Sequence, residues 1–140
     1  MAKTTALRSK TSGGALASMN LIAFVPTTNP AKARSFYEQV LNLRFVSEDP
    51  FALVFDGHGV MIRIANVSSV KGFHAAPFTV LGWEVPDVAV VVGDLSARGV
   101  TFERYPGMAQ DAAGIWKSPS GARVAWFKDP DGNVLSLTQY

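Results

Sequence analysis

The chain contains no cysteine. That excludes disulfides, thiolate nucleophiles and thiolate-held metal, and it leaves the redox compartment open. Long apolar runs are also missing: none approaches the roughly 20 residues that a membrane-spanning helix requires, so no membrane association is expected. Charge is sparse at 17%, against 48% hydrophobic residues in 140, a composition that fits one globular domain with one sizeable core.

Acidic residues are absent from the first eighteen positions, which carry Lys3, Arg8 and Lys10. From Met19 onward, ten Lys or Arg stand against eleven Asp or Glu, so the body is close to neutral. A nucleic-acid-binding face needs clustered positive charge on the folded part. None is visible, and no nucleic-acid partner is expected. The segment MAKTTALRSKTSGGALAS is rich in Ser, Thr, Gly and Ala and has little periodicity. It reads as a flexible tail over 1–18. Its basic character also suits a targeting peptide, but it lacks the apolar stretch of a secretory signal. The expectation is a cytoplasmic protein with one domain over 19–140.

What is present is a repeat. The first copy opens with a strand, NLIAFVPT, and continues TNPAKARSFYEQVLNL. Asn29 suits a helix N-cap and Pro30 the first helical position, where no amide donor is needed. Ala33, Phe36, Tyr37 and Val40 then form one apolar stripe, and Asn42 suits the left-handed stop. The second copy opens with TVLGWEVP and continues DVAVVVGDLSARGV. Asp87 is its cap, Val88, Val91 and Leu95 its stripe, and Gly99 its stop. The run VAVVV alone favours a strand; the cap and the stop predict a helix. An offset of 58 residues places Ile22 on Val80 and Asn29 on Asp87. Three strand-like runs follow each helix: LRFVSE, FALVFD and VMIRIANV, then VTFERY, ARVAWFK and NVLSLTQ.

The chain therefore reads as an α+β fold of two βαβββ modules, over about 19–67 and 79–140, joined by a linker over 68–78. Together they are expected to form a curved eight-stranded mixed sheet, an incomplete barrel with the helices outside. Alternation assigns the faces. Ala23, Val25, Ile62 and Ile64, with Leu81, Trp83, Leu135 and Leu137, should pack on the helices. Ile22, Phe24, Met61 and Arg63, with Val80, Gly82, Glu84, Val134 and Ser136, should line the concave side. For the adjacent Trp126 and Phe127, alternation sends one each way without saying which.

The segments ARSFYEQVLNLRF, WEVPDVAVVVGDLSARGVTF and FKDPDGNVLSL resemble the vicinal-oxygen-chelate superfamily, which includes glyoxalase I, extradiol dioxygenases and bleomycin-resistance proteins. The resemblance runs from about Met19 to Tyr140. It implies a homodimer, in many relatives with sites near the subunit interface. In family enzymes a divalent metal is held by His or Glu at four strand positions, which here fall on Ile22, Arg63, Val80 and Ser136. Ile and Val have no donor atom, Arg repels a cation and Ser alone is a weak ligand. The two histidines, His58 in DGHG and His74 in KGFHAAP, read as loop residues, and DPDGN reads first as a tight turn.

The expectation is thus a protein without cofactor that binds a planar or aromatic small molecule in the concave cup. Phe24, Met61, Val80 and Val134 would form the apolar wall, and Arg63, Glu84 and Ser136 would orient the ligand. A lone arginine inside a cavity calls for a planar, anionic or carbonyl-rich ligand. Glu84 admits three readings: a solvated strand end, a base or hydrogen-bond acceptor, or an ion-pair partner of Arg63. The long excursion YPGMAQDAAGIWKSPSG reads as a lid or a dimer contact, with Tyr105, Met108 and Trp116 as covering residues. Two alternatives stay open. One is a lyase, isomerase or dioxygenase, either with a divalent metal on atypical ligands or metal-free and using Glu84 as catalyst. The other is a structural or partner-binding protein whose cup is filled by its own side chains.

Overall fold

A computed structural model describes residues 15–140. The tail expected over 1–18 lies mostly outside the described residues. The element order is β1 (Ile22–Thr27), α1 (Pro30–Ser35), a π-helical turn (Phe36–Val40), β2 (Arg44–Glu48), β3 (Ala52–Gly57) and β4 (Val60–Asn66). The second module follows with β5 (Thr79–Glu84), α2 (Val88–Ala97), β6 (Trp116–Lys117), β7 (Arg123–Lys128) and β8 (Val134–Gln139). Each module forms a four-stranded mixed sheet, ordered β1-β4-β3-β2 and β5-β8-β7-β6. In both, the first strand runs parallel to the last. The sheets approach each other at β1 and β5 and do not close into a barrel. Among the described residues, no helix is long and apolar enough to cross a membrane.

The helix boundaries follow from the caps. Asn29 Oδ1 accepts from the Lys32 amide at 3.2 Å, and Asp87 Oδ1 from the Val90 amide at 3.2 Å. Asn42 stops the first helix at φ 61° and Gly99 the second at φ 94°. The valine run is helical, since Val88, Val92 and Leu95 all bury against the second sheet's helix side. The first helix departs from expectation in its second half. There the Leu41 amide reaches the Phe36 carbonyl at 2.9 Å, widening the turn.

One strand differs from the sequence reading. VTFERY supplies only a single bridge, Phe102 to Phe127, and the edge strand comes instead from Trp116–Lys117 within the excursion. The reason is a side chain that takes over the ladder's hydrogen bonds. Gln110 donates to the carbonyls of Glu103 (2.9 Å) and Gly114 (2.8 Å), and it accepts from the Tyr105 amide at 2.8 Å. Asp111 accepts from Ala113 and Ile115, both at 2.9 Å. The excursion is therefore a braced loop.

The helix-facing sides of both sheets share one buried cluster. It contains Val25, Phe55, Ile62 and Ile64 from the first sheet and Ala125, Phe127, Leu135 and Leu137 from the second, with Ala33 and Tyr37 of the first helix. Burying each large apolar side chain contributes about 1.5–3 kcal/mol.

A polar latch ties the modules at the turn between β7 and β8. Asp129 is 6% exposed and Asn133 fully buried. The Tyr37 hydroxyl donates to Asp129 Oδ2 at 2.6 Å, and the Asn133 side-chain amide donates to the same oxygen at 2.8 Å and to the Pro26 carbonyl at 2.8 Å. Asp131 accepts from the Thr27 hydroxyl (2.6 Å) and from the amide (2.7 Å) and hydroxyl (2.6 Å) of Thr28. So DPDGN is a turn, with Gly132 at φ 84°, and also the clasp that holds the end of β1. Burial, with the Asp129 charge beside it, pushes the Tyr37 phenol far above the tyrosine range, so it remains a donor. Tyr37→Phe is expected to destabilise the fold by about 2 kcal/mol, as loss of a hydrogen bond to a buried carboxylate does. Asp129→Ala should cost more, because the Tyr37 hydroxyl and Asn133 amide then lose their acceptor; urea unfolding of both variants checks the order.

Candidate functional site

The concave faces are read from strand register, because directly paired residues point to the same side. In the first sheet Phe24 pairs with Arg63 and Arg63 with Val54, while Ile22 pairs with Met61 and Met61 with Asp56. In the second, one row runs Gly82, Ser136, Trp126, and the next runs Glu84, Thr138, Val124, Trp116. Phe127 is fully buried against Phe36 and Phe102, so Trp126 is the one that faces the cup.

The first sheet presents an apolar surface to solvent: Phe24 is 60% exposed, Ile22 44% and Met61 43%. Arg63 lies on this face with its side chain 26% exposed, and it is not alone. Its Nη2 donates to Asp49 Oδ2 at 3.3 Å, at the β2–β3 connection. The lone cation expected from sequence is therefore a paired one, and its partner is Asp49 rather than Glu84. Asp49 is itself held by the amides of Phe51 (2.8 Å) and Ala52 (2.9 Å). Those amides first, and Arg63 in addition, hold its carboxyl below the usual 3.8.

The second sheet carries an aromatic cluster. Trp126 and Tyr105 meet edge to face with centroids 5.5 Å apart, and Trp126 and Trp116 are tilted at 6.0 Å. All three rings are half-buried. Beside them Gly82 leaves a floor without a side chain. A Cβ there would stand 2.6 Å from Ser136 Oγ, so glycine keeps the floor flat and leaves the space beside that hydroxyl unfilled. Ser136 is 9% and Val134 4% exposed, while Glu84, which ends β5, is exposed. Val80 falls in a register shift between Thr79 and Leu81 and packs against the helix-side cluster, so the alternation that would put it on the concave wall is broken there.

Other sequence candidates lie elsewhere. His58 occupies the β3–β4 turn at φ 54°, and His74 is exposed in the linker. Among the described residues no three His, Cys, Asp or Glu come together. The donor set at Ile22, Arg63, Val80 and Ser136 does not suit a divalent cation. A separate crevice of about 220 Å³ opens on the helix side, lined by Leu41, Leu43, Trp83, Val85 and Val91 and bordered by Glu84. Tyr105 and Trp116 were expected as covering residues, and Trp126 is the site-forming residue whose direction sequence left open. The alternation of β7 carried the signal for Trp126, and the burial of Phe127 decides it.

Two measurements test this geometry. Gly82→Ala should destabilise the fold by roughly 1 kcal/mol through overpacking, and adding Ser136→Ala should recover most of that loss. In a carboxylate titration followed by NMR, Asp49 should show a midpoint below 3.8, and Arg63→Gln should move it part of the way back. The sign follows from linkage: a depressed folded value stabilises above the unfolded one and is lost as pH falls through the folded one.

Several solved structures share the fold. A lactoylglutathione lyase from Agrobacterium tumefaciens superposes with a TM-score of 0.66 at 16% identity, covering 87% of this chain and 93% of its own. A glyoxalase/bleomycin resistance protein/dioxygenase superfamily member from Sphaerobacter thermophilus gives 0.66 at 24% identity, over 86% and 96%. TnmS3, an antibiotic binding protein from a Streptomyces species, gives 0.63 at 24% identity, over 87% and 95%. No curated protein matches the chain. The family model for the Glyoxalase/Bleomycin resistance protein/Dioxygenase superfamily matches residues 18–137, and with the paired βαβββ modules this places the chain in that superfamily.

Proposed function

We propose that this protein binds a planar aromatic small molecule on its concave surface, without a metal, as a homodimer. The observation that carries this reading is the arrangement of Trp116, Trp126 and Tyr105 around the flat Gly82–Ser136 floor. Indole faces beside an uncovered floor suit a flat ring system, and Ser136 Oγ offers it one hydrogen-bonding group. The description of TnmS3 as an antibiotic binding protein agrees with this reading. Metal independence rests on the side chains at the four strand positions, which offer one hydroxyl and no carboxylate or imidazole.

The homodimer is supported by Phe24, Ile22 and Met61, which leave one apolar sheet face open to water in the single chain. A second copy that covers this face, with Val54 and Arg63 beside it, would complete the cup.

Glu84 favours a second reading. It is an exposed carboxylate on the concave side, and it would act as base in a metal-free lyase or isomerase.

The test is a thermal-shift and tryptophan-fluorescence screen against three-ring aromatics, with metal analysis of the same preparation. A ligand at 100 times its dissociation constant should stabilise by about 2.7 kcal/mol, raising Tm by several degrees. Trp126→Ala should weaken binding by roughly 1 kcal/mol or more. Sedimentation should give twice the mass of one chain. One tightly held metal ion per chain, or no response across the panel, would refute the reading.

A further inference from the structure

Among the described residues, the basic side chains of the concave surface are each matched. Arg63 pairs with Asp49 at 3.3 Å, Arg44 with Asp56 at 3.6 Å and Lys128 with Glu103 at 3.7 Å. The register puts Arg44 and Asp56 on the face of Met61, and Lys128 on the face of Val134. Glu84 is the exception. It takes part in no ion pair and no side-chain hydrogen bond among the described residues, and its carboxylate is exposed. Its row continues through Thr138 and Val124 to Trp116, whose ring stands 6.0 Å from that of Trp126.

From this balance we infer that the ligand is a planar aromatic cation or amine, held by the Glu84 carboxylate over the Trp116–Trp126 pair. The inference rests on the planar-ligand reading above and fixes the charge class that the reading leaves open. The sequence-based expectation drew a planar, anionic or carbonyl-rich ligand from an unpaired Arg63; the inference keeps the planar ligand and replaces the anion with a cation.

Three physical effects agree. Indole faces carry negative π density and attract cations. A bound ligand covers Glu84 and strips its water, and a positive N–H group returns that lost solvation whereas an anion adds repulsion to it. An anion seeking Arg63 would first have to displace Asp49, which two backbone amides hold in place.

The experiment uses the full chain and three probes of one shape. 9-Aminoacridine is cationic near neutral pH, 9-anthracenemethanol is neutral and 9-anthracenecarboxylate is anionic; each is titrated at low salt by fluorescence and calorimetry. The cation is expected to bind about tenfold or more tightly than the anion, with the preference shrinking as salt is raised. Glu84→Gln, a near-isosteric change at an exposed position, should bring the cation close to the neutral probe. Asp49→Asn should raise the anion's affinity by releasing Arg63. Equal or tighter binding of the anion overturns the inference, and so does a cation preference that survives Glu84→Gln. If none of the probes binds, both this inference and the planar-ligand reading fall. If all bind alike, the planar-ligand reading stands and only the charge assignment fails.

Discussion

The buried carboxylate of Asp129 is the constraint on which the rest of the molecule depends. It sits in the second module, yet it anchors a side chain of the first, the Tyr37 hydroxyl at 2.6 Å. Asn133 and Asp131 carry the same clasp to Pro26, Thr27 and Thr28, the end of β1. Each partner is local to its own module in sequence and remote from the other. The contacts therefore fix how one sheet stands against the other, and with that the mutual placement of the two concave faces. A charge buried among apolar side chains is tolerable only because its oxygens are filled by donors. The π-helical turn fits this requirement, since it lies where Tyr37 buries against Asp129 and Phe36 packs half-buried against Phe127.

Much of this was legible in the sequence because strands and caps write local patterns. Alternation placed Ile62, Ile64, Leu135 and Leu137 on the helices, and all four lie in the buried cluster. Asn29, Asp87, Asn42 and Gly99 marked helix ends because few residues accept those conformations or supply those acceptors. What stayed hidden was long-range. Nothing local says that Gln110 will satisfy the backbone around Glu103 and Gly114, so the edge strand was placed on VTFERY instead of Trp116–Lys117. Nothing local says that Asp49, fourteen residues before Arg63, turns back to meet it. The bulge at Val80 was equally invisible, since one extra residue leaves the hydrophobic pattern intact while shifting a side chain.

The superfamily joins proteins of different chemistry on one scaffold, so the site and not the fold must carry a functional conclusion. The resemblance maps the metal positions of family enzymes onto Ile22, Arg63, Val80 and Ser136, none of which is a usual ligand, and Val80 is turned to the helix side. What the concave side offers among the described residues is area and shape: three aromatic rings, a bare glycine floor and the unpaired Glu84. On the proposed reading, such a surface selects its ligand by flatness and charge.

The two hairpins that close the modules also differ in a way that the repeat conceals. In the first module His58 and Gly59 make a two-residue turn, and Asp56 accepts from the nearby Gly59 amide at 3.0 Å and pairs with Arg44 of the same sheet. In the second, five residues stand at the equivalent bend, and two of their carboxylates grip the other half of the chain. The duplication is thus symmetric in shape and lopsided in force. Equivalent positions differ in what constrains them: the N-terminal bend is held by its own positive-φ turn, while its C-terminal twin is locked by a neighbour it does not share a module with.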